Sequence, residues 1–140
     1  MRFAKGFTIV EIAVVVAVIG ILASITVVSY NNVQISSRDD SSRAKALVVT
    51  EALERHYEKY GEFPTCAQMT TAATTVAATL QDINPDALRR PSATTGTNSI
   101  SCTAPSKTNF SYIVTTSPVG YTYGYQEEAT SQNVTFKNRQ

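Results

Sequence analysis

Residues 5–30 read KGFTIVEIAVVVAVIGILASITVVSY, and the reading of Glu11 in that run decides the fold. From Ile12 to Ser37 there is no other charged residue. A carboxylate in hydrocarbon costs roughly 2.5–3.5 kcal/mol at the centre of a span and less near its end. A plain membrane anchor would gain by losing it, so Glu11 calls for a partner. The segment Ile12–Tyr30 is close to the ~20 residues needed to cross a bilayer as a helix. Arg2 and Lys5 precede it, and Arg38, Asp39 and Asp40 follow. The positive-inside rule then puts the N-terminus in the cytoplasm and the remainder outside. Conventional signal-peptide cleavage is not expected: an acidic residue heads the apolar region, and Ile21-Leu22-Ala23 is a poor substitute for an A-x-A site.

The 43% apolar content is unevenly spread over the 140 residues. A dense Ile/Val/Ala block occupies residues 7–30, whereas residues 65–140 are rich in Thr, Ser, Ala and Asn. The length therefore holds one long apolar segment and one small domain, not two full cores. A net charge of +1 argues against a general electrostatic attraction to nucleic acid or acidic lipid, and leaves nucleic acid as a partner undecided.

The stretch KGFTIVEIAVVVAVIGILASITVVSY resembles the N-terminus of type IV pilins and the related pseudopilins. The resemblance implies a short basic leader, residues 1–6, cut after Gly6 by a prepilin peptidase. It further implies methylation of the new N-terminal Phe7 and a role in assembly for the carboxylate of Glu11. Cutting there creates an α-amine on Phe7. Within one helix, four residues at roughly 1.5 Å each put Glu11 about 6 Å along the axis from that amine. Across a staggered neighbour the carboxylate meets the neighbour's amine directly. An ion pair among packed apolar helices is a poor source of stability but a strong specifier of register, because misalignment strands two charges. A carboxylate merely snorkelling to the interface is the plain alternative.

The remaining chain reads as a subunit built on one long helix. Ala46, Val49, Leu53, Tyr57 and Tyr60 form a single helical stripe, with charged residues on the other faces and Glu51–Arg55 in the favourable i,i+4 order. Gly61 supplies a stop and Pro64 forbids continuation. HYEKYGEFP, residues 56–64, resembles the aromatic-rich helix exit of the same family. Unbroken from Phe7 to Tyr60, the helix extends about 80 Å. Many family members carry Pro where this chain has Val28. Without it, and with Gly20 costing only about 1 kcal/mol, the helix is expected to continue through residues 20–30, with Ser24, Thr26 and Ser29 free to bond backbone carbonyls.

Ala67–Leu80 is a possible short helix, and Asn84-Pro85-Asp86 reads as an N-cap followed by Pro at the first helical position. Pro91–Pro105 reads as loop. Asn109–Thr116, Tyr121–Glu127 and Val134–Lys137 read as strands, with turns at Ser117–Gly120 and Ala129–Asn133. The expected fold is therefore α+β and pilin-like: a long N-terminal helix packed on a small C-terminal antiparallel sheet of about three strands. The domain reading is leader 1–6, hydrophobic transmembrane or filament-core helix 7–37, and extracellular globular domain 38–140. Cys66 and Cys102, the only cysteines, lie on the external side. An even count in an exported domain suggests a disulfide, worth roughly 3–4 kcal/mol by chain entropy; two separate buried thiols are the alternative.

Tyr121, Tyr123 and Tyr125 alternate onto one strand face, either as a stacking platform or, as preferred here, packed on the long helix. His56 has no ligand cluster of metal spacing around it, and Glu127-Glu128 is weak ground for calcium. No phosphate loop, nucleophile elbow or acid–base pair occurs, so neither an enzyme nor a cofactor is expected. The resemblance implies a pilus subunit that homo-oligomerises into a helical filament, inserts in membrane lipid before assembly, and meets the prepilin peptidase and an inner-membrane assembly platform. A type II secretion or DNA-uptake pseudopilin, or a minor pilin, is the alternative. A monomeric membrane-anchored binding domain is a third reading, separable because it would keep residues 1–6.

Overall fold

The computed structural model describes residues 6–93, 97–117 and 119–138. Residues 1–5 of the expected leader and Pro118 of the first expected turn lie outside the described residues. The chain divides into two compact units, one through Gln34 and one from Ile35. Helix α1, Ile9–Tyr60, contributes to both. In the first unit it runs uninterrupted through Gly20 and on to Tyr30. Ser24 and Thr26 donate their hydroxyls to the carbonyls of Ile21 and Ala23, at 2.7 and 2.9 Å, so these polar groups are satisfied without breaking the helix.

In the second unit the expected stripe faces inward: Ala46, Val49 and Leu53 are fully buried. Tyr57 is partly buried against the core. Tyr60 departs from the expectation, remaining 55% exposed beside His56 and under the Lys59 ammonium. The helix stops where Gly61 takes a φ of 75° and donates its N–H to Tyr57 at 2.8 Å. That left-handed cap suits a residue without Cβ.

The expected helix over Ala67–Leu80 is two pieces, α2 Cys66–Met69 and α3 Ala73–Thr79. Thr65 and Gln68 form a reciprocal capping box that starts α2. Thr70 and Thr71 then donate their hydroxyls to the carbonyls of Ala67 and Gln68, and Asn98 donates to the carbonyls of Met69 and Thr71 at 2.7 and 2.8 Å. Those carbonyls are held by a side chain 27 residues or more away, which fixes the break. A single 3-10 turn, Pro85–Leu88, follows under the Asn84 cap.

The sheet has four strands rather than three, in the order β1-β2-β3-β4. β2 (Phe110–Thr116), β3 (Val119–Gln126) and β4 (Asn133–Lys137) make the expected antiparallel meander. The extra strand β1, Ile100–Ser101, pairs in parallel with Phe110 and Ser111. At two residues it is too short to show a period-2 pattern, and it falls in the stretch read as loop.

The three strand tyrosines pack inward rather than forming an open platform. Tyr121, Tyr123 and Tyr125 are all buried with Phe110 and Tyr112. Tyr112 donates its hydroxyl to Pro64 at 2.7 Å and Tyr121 to Glu54 at 3.0 Å. Burial raises the phenols of Tyr112 and Tyr123 above their ordinary pKa.

Arg90, buried between these layers, donates to the carbonyls of Lys107 and Gln126 and lies over the rings of Phe110 and Tyr125. Burial lowers its pKa, opposed by Glu128 and Asp39. Cys66 and Cys102 are joined in a disulfide with Cα atoms 6.0 Å apart, tying the start of α2 to the end of β1.

Asp39 on α1 holds the β3–β4 turn. Its two oxygens accept from the backbone of Glu128 at 2.8 Å and Ala129 at 3.1 Å, while Arg38 pairs with Glu128 at 2.9 Å. Hydrogen bonds to charged groups contribute about 1.5–3 kcal/mol. Asp39→Ala is therefore expected to destabilise the second unit by about 2 kcal/mol, and Asp39→Asn, which keeps one acceptor oxygen, by less. Urea unfolding of the detergent-solubilised chain checks both.

Asp86 accepts from Lys45 at 2.8 Å, and that hydrogen bond and charge lower its pKa from 3.8. A depressed carboxylate contributes stability above its unfolded pKa and loses it as the pH falls through the lower folded value. Most of the Asp86 side chain is exposed, so the contribution stays below about 1 kcal/mol. Asp86→Asn should cost that small amount at pH 7 and nothing near pH 2, as read from urea midpoints across pH.

Candidate assembly site at the head of α1

Thr8, Ile9, Val10 and Glu11 form the start of α1, and the local sequence dictates how. A helix leaves its first N–H groups without internal partners. Here the Glu11 N–H donates to the Thr8 hydroxyl oxygen at 3.2 Å. In return the Thr8 backbone N–H and hydroxyl both donate to Glu11 Oε2, each at 2.7 Å. This is a capping box, with Thr8 as the cap and Glu11 at the third helical position. The partner that Glu11 calls for is thus supplied partly within its own chain. Thr8 was missed in reading the sequence, although Thr-x-x-Glu ahead of an apolar run is its signal.

Gly6 and Phe7 precede the helix in non-helical backbone, both exposed, and Phe7 is 85% exposed. A Cβ added at Gly6 would meet no atom within 4 Å. Thr8 keeps its amide N–H if the Gly6–Phe7 bond is cut, since Phe7 still acylates it, so the capping box is compatible with a chain starting at Phe7. A terminal amine there would lie close to a carboxylate already held in place.

Beyond this site, α1 is long and apolar enough to cross a membrane. Its Ile, Val and Leu side chains from Ile9 to Val27, and Val33, stand largely exposed. Among the described residues no group of three or more His, Cys, Asp and Glu could hold a metal ion. His56 Nδ1 lies 3.0 Å from the Glu62 carbonyl. Glu127 accepts from the Thr130 hydroxyl, and Glu128 is engaged by Arg38.

Residues 1–27 match the family described as the prokaryotic N-terminal methylation motif. No solved structure matches the chain. The chain carries a prepilin-type methylation motif, the signature of type IV pilins and pseudopilins. The long helix on a small four-stranded sheet agrees with the pilin-like α+β fold.

Replacing a Thr cap by Ala costs about 1 kcal/mol. Thr8→Ala should therefore speed hydrogen exchange at the Glu11 amide about fivefold in micelles, while Thr8→Ser leaves it nearly unchanged. NMR exchange rates at the first turn of α1 check this.

Proposed function

We propose that this chain is a structural subunit of a type IV pilus-like extracellular filament, assembled through its hydrophobic N-terminal helix. The observation that carries the reading is the matched N-terminal motif, in which a capped, carboxylate-bearing helix start directly follows the exposed Gly6 and Phe7. In this reading residues 1–6 are a leader removed by a prepilin peptidase, and Phe7 becomes the methylated N-terminus. Residues 7–37 anchor the precursor in the cytoplasmic membrane and later form the filament core, while residues 38–140 form its outer domain. An inner-membrane platform moves the subunit from lipid into the fibre.

Glu11 acts at that transfer. Its Oε2 stays with Thr8, and a carboxylate accepts more than two hydrogen bonds, so it can also take the Phe7 amine of an adjacent subunit. Misregistered helices would leave both charges unpaired in an apolar core, which penalises every register but one. The same device serves pseudopilins, and the two roles differ in abundance: a major subunit dominates the isolated fibre.

Two outcomes are expected. Mass spectrometry of the assembled chain should find methyl-Phe at Phe7; a chain still carrying residues 1–6 in cells with an active prepilin peptidase would refute processing. Glu11→Ala should insert in the membrane normally yet lower surface filaments at least tenfold. Filament numbers equal to the parent's would remove Glu11 from assembly.

A further inference from the structure

The outer end of the apolar span is marked by a run of neutral, mostly polar residues, Tyr30-Asn31-Asn32-Val33-Gln34. All of them lie within α1 and are exposed. From Glu11 to Tyr30 the helix rises about 28 Å at roughly 1.5 Å per residue, close to the ~30 Å hydrocarbon core of a bilayer. Each residue turns the helix by about 100°. Tyr30 and Gln34 therefore share one side, while Asn31 and Asn32 fall on two others. These polar side chains make a collar around the helix, interrupted at Val33, and not a stripe along it. A stripe would fit one partner element; a collar fits a medium that surrounds the helix.

The collar offers hydrogen bonds without charge. Gln34 Nε2 donates to the Tyr30 hydroxyl oxygen at 3.1 Å, which leaves the phenol O–H to donate outward. Asn31 and Asn32 each add an amide with donor hydrogens and an acceptor oxygen. Such groups match the phosphate oxygens, ester oxygens and water of a headgroup layer. A Tyr at that level keeps its ring toward hydrocarbon and its hydroxyl toward water. The common alternative at the end of a span is a Lys or Arg that snorkels to the surface. Here the first cation beyond the collar is Arg38, and it is held by Glu128 at 2.9 Å. Asp39 is held by the backbone of Glu128 and Ala129. The charges nearest the collar are thus already engaged.

We propose that Tyr30, Asn31, Asn32 and Gln34 form a membrane-depth collar, seated in the phospholipid headgroup layer at the external end of the precursor's span. This rests on the membrane-anchored reading above, and adds what fixes the depth at that end: hydrogen bonds from neutral groups to phosphate and ester oxygens. Because no charge takes part, the seat depends neither on anionic lipid nor on salt. A neutral amide or phenol is also far cheaper than an ammonium to move from headgroups into a packed helix bundle. The collar therefore sets the depth of the helix in lipid without trapping it there.

The chain has no Trp, so Ile25→Trp in the full-length protein supplies a single indole inside the span as a depth probe. This protein is reconstituted in phosphatidylcholine vesicles, and its fluorescence is quenched by lipids brominated near the headgroup or near the bilayer centre. Replacing Asn31, Asn32 and Gln34 by Leu lengthens the apolar stretch outward by about one turn. The indole should then move toward the centre by roughly 3 Å, half the rise of that turn. Exchanging Asn for Gln and Gln for Asn at the same positions should leave its depth unchanged, as should added phosphatidylglycerol or salt. An intact Cys66–Cys102 bond serves as the folding control. An indole that keeps its depth in the Leu variant, or that shifts with phosphatidylglycerol, overturns the proposal while the membrane reading stands. If depth is kept but the Leu variant no longer forms filaments, the collar serves contacts between copies and the proposal falls likewise. A chain that does not float with the vesicles overturns both.

Discussion

From Ile12 to Ser37 no residue bears a charge, and the Ile, Val and Leu side chains from Ile9 to Val27 stand largely exposed. Removing a Val, Ile or Leu side chain from water is worth about 1.5–3 kcal/mol when complete. Summed over this helix, the drive to find cover exceeds the entire net stability of a typical domain. Lipid can supply it, and so can packed helices of other copies. Neither is selective, because apolar contact is non-directional. In the proposed filament Glu11 adds the direction: one carboxylate, held at the third position of the helix by Thr8, would give an apolar rod a defined end.

The second unit solves the opposite problem, which is to cover its own share of α1 and present a polar outside. Ala46, Val49 and Leu53 disappear beneath a layer of strand aromatics. Tyr112 enters this layer bonded to Pro64, and Arg90 enters it with two carbonyls and two rings, whereas the buried Tyr123 hydroxyl has no hydrogen-bond partner among the described residues. The Thr-rich connection sends Met69, Val76, Leu80 and Leu88 into the core. It is further secured by a disulfide, by Asn98 and by the Lys45–Asp86 pair. Asp39 and Arg38 fasten the far turn of the sheet to the helix.

What could be read from the sequence follows from how each signal is encoded. The helix stripe and its stop at Gly61 are local and periodic, so both were legible, apart from Tyr60, which stays outside. The strands β2 to β4 announce themselves by alternation and by turn residues. β1 has two residues and exists because Phe110 and Ser111 accept it as a partner, information that lies outside its own segment. The split between α2 and α3 depends on Asn98, distant in sequence. At the head of α1 a family resemblance singles out Gly6, Phe7 and Glu11, whereas Thr8, whose cap the structure shows, is marked in the sequence only by its spacing to Glu11, a known capping pattern.

The central claim is that Glu11 sets the register of one subunit against the next. It is tested most directly by a cryo-electron microscopy map of filaments built from this chain, at a resolution that shows side chains. The account predicts the Phe7 amine of one subunit within ion-pair distance, about 4 Å, of the Glu11 carboxylate of a neighbour. Glu11 should still be bonded to its own Thr8. A filament in which every Glu11 faces away from all neighbouring N-termini would contradict it.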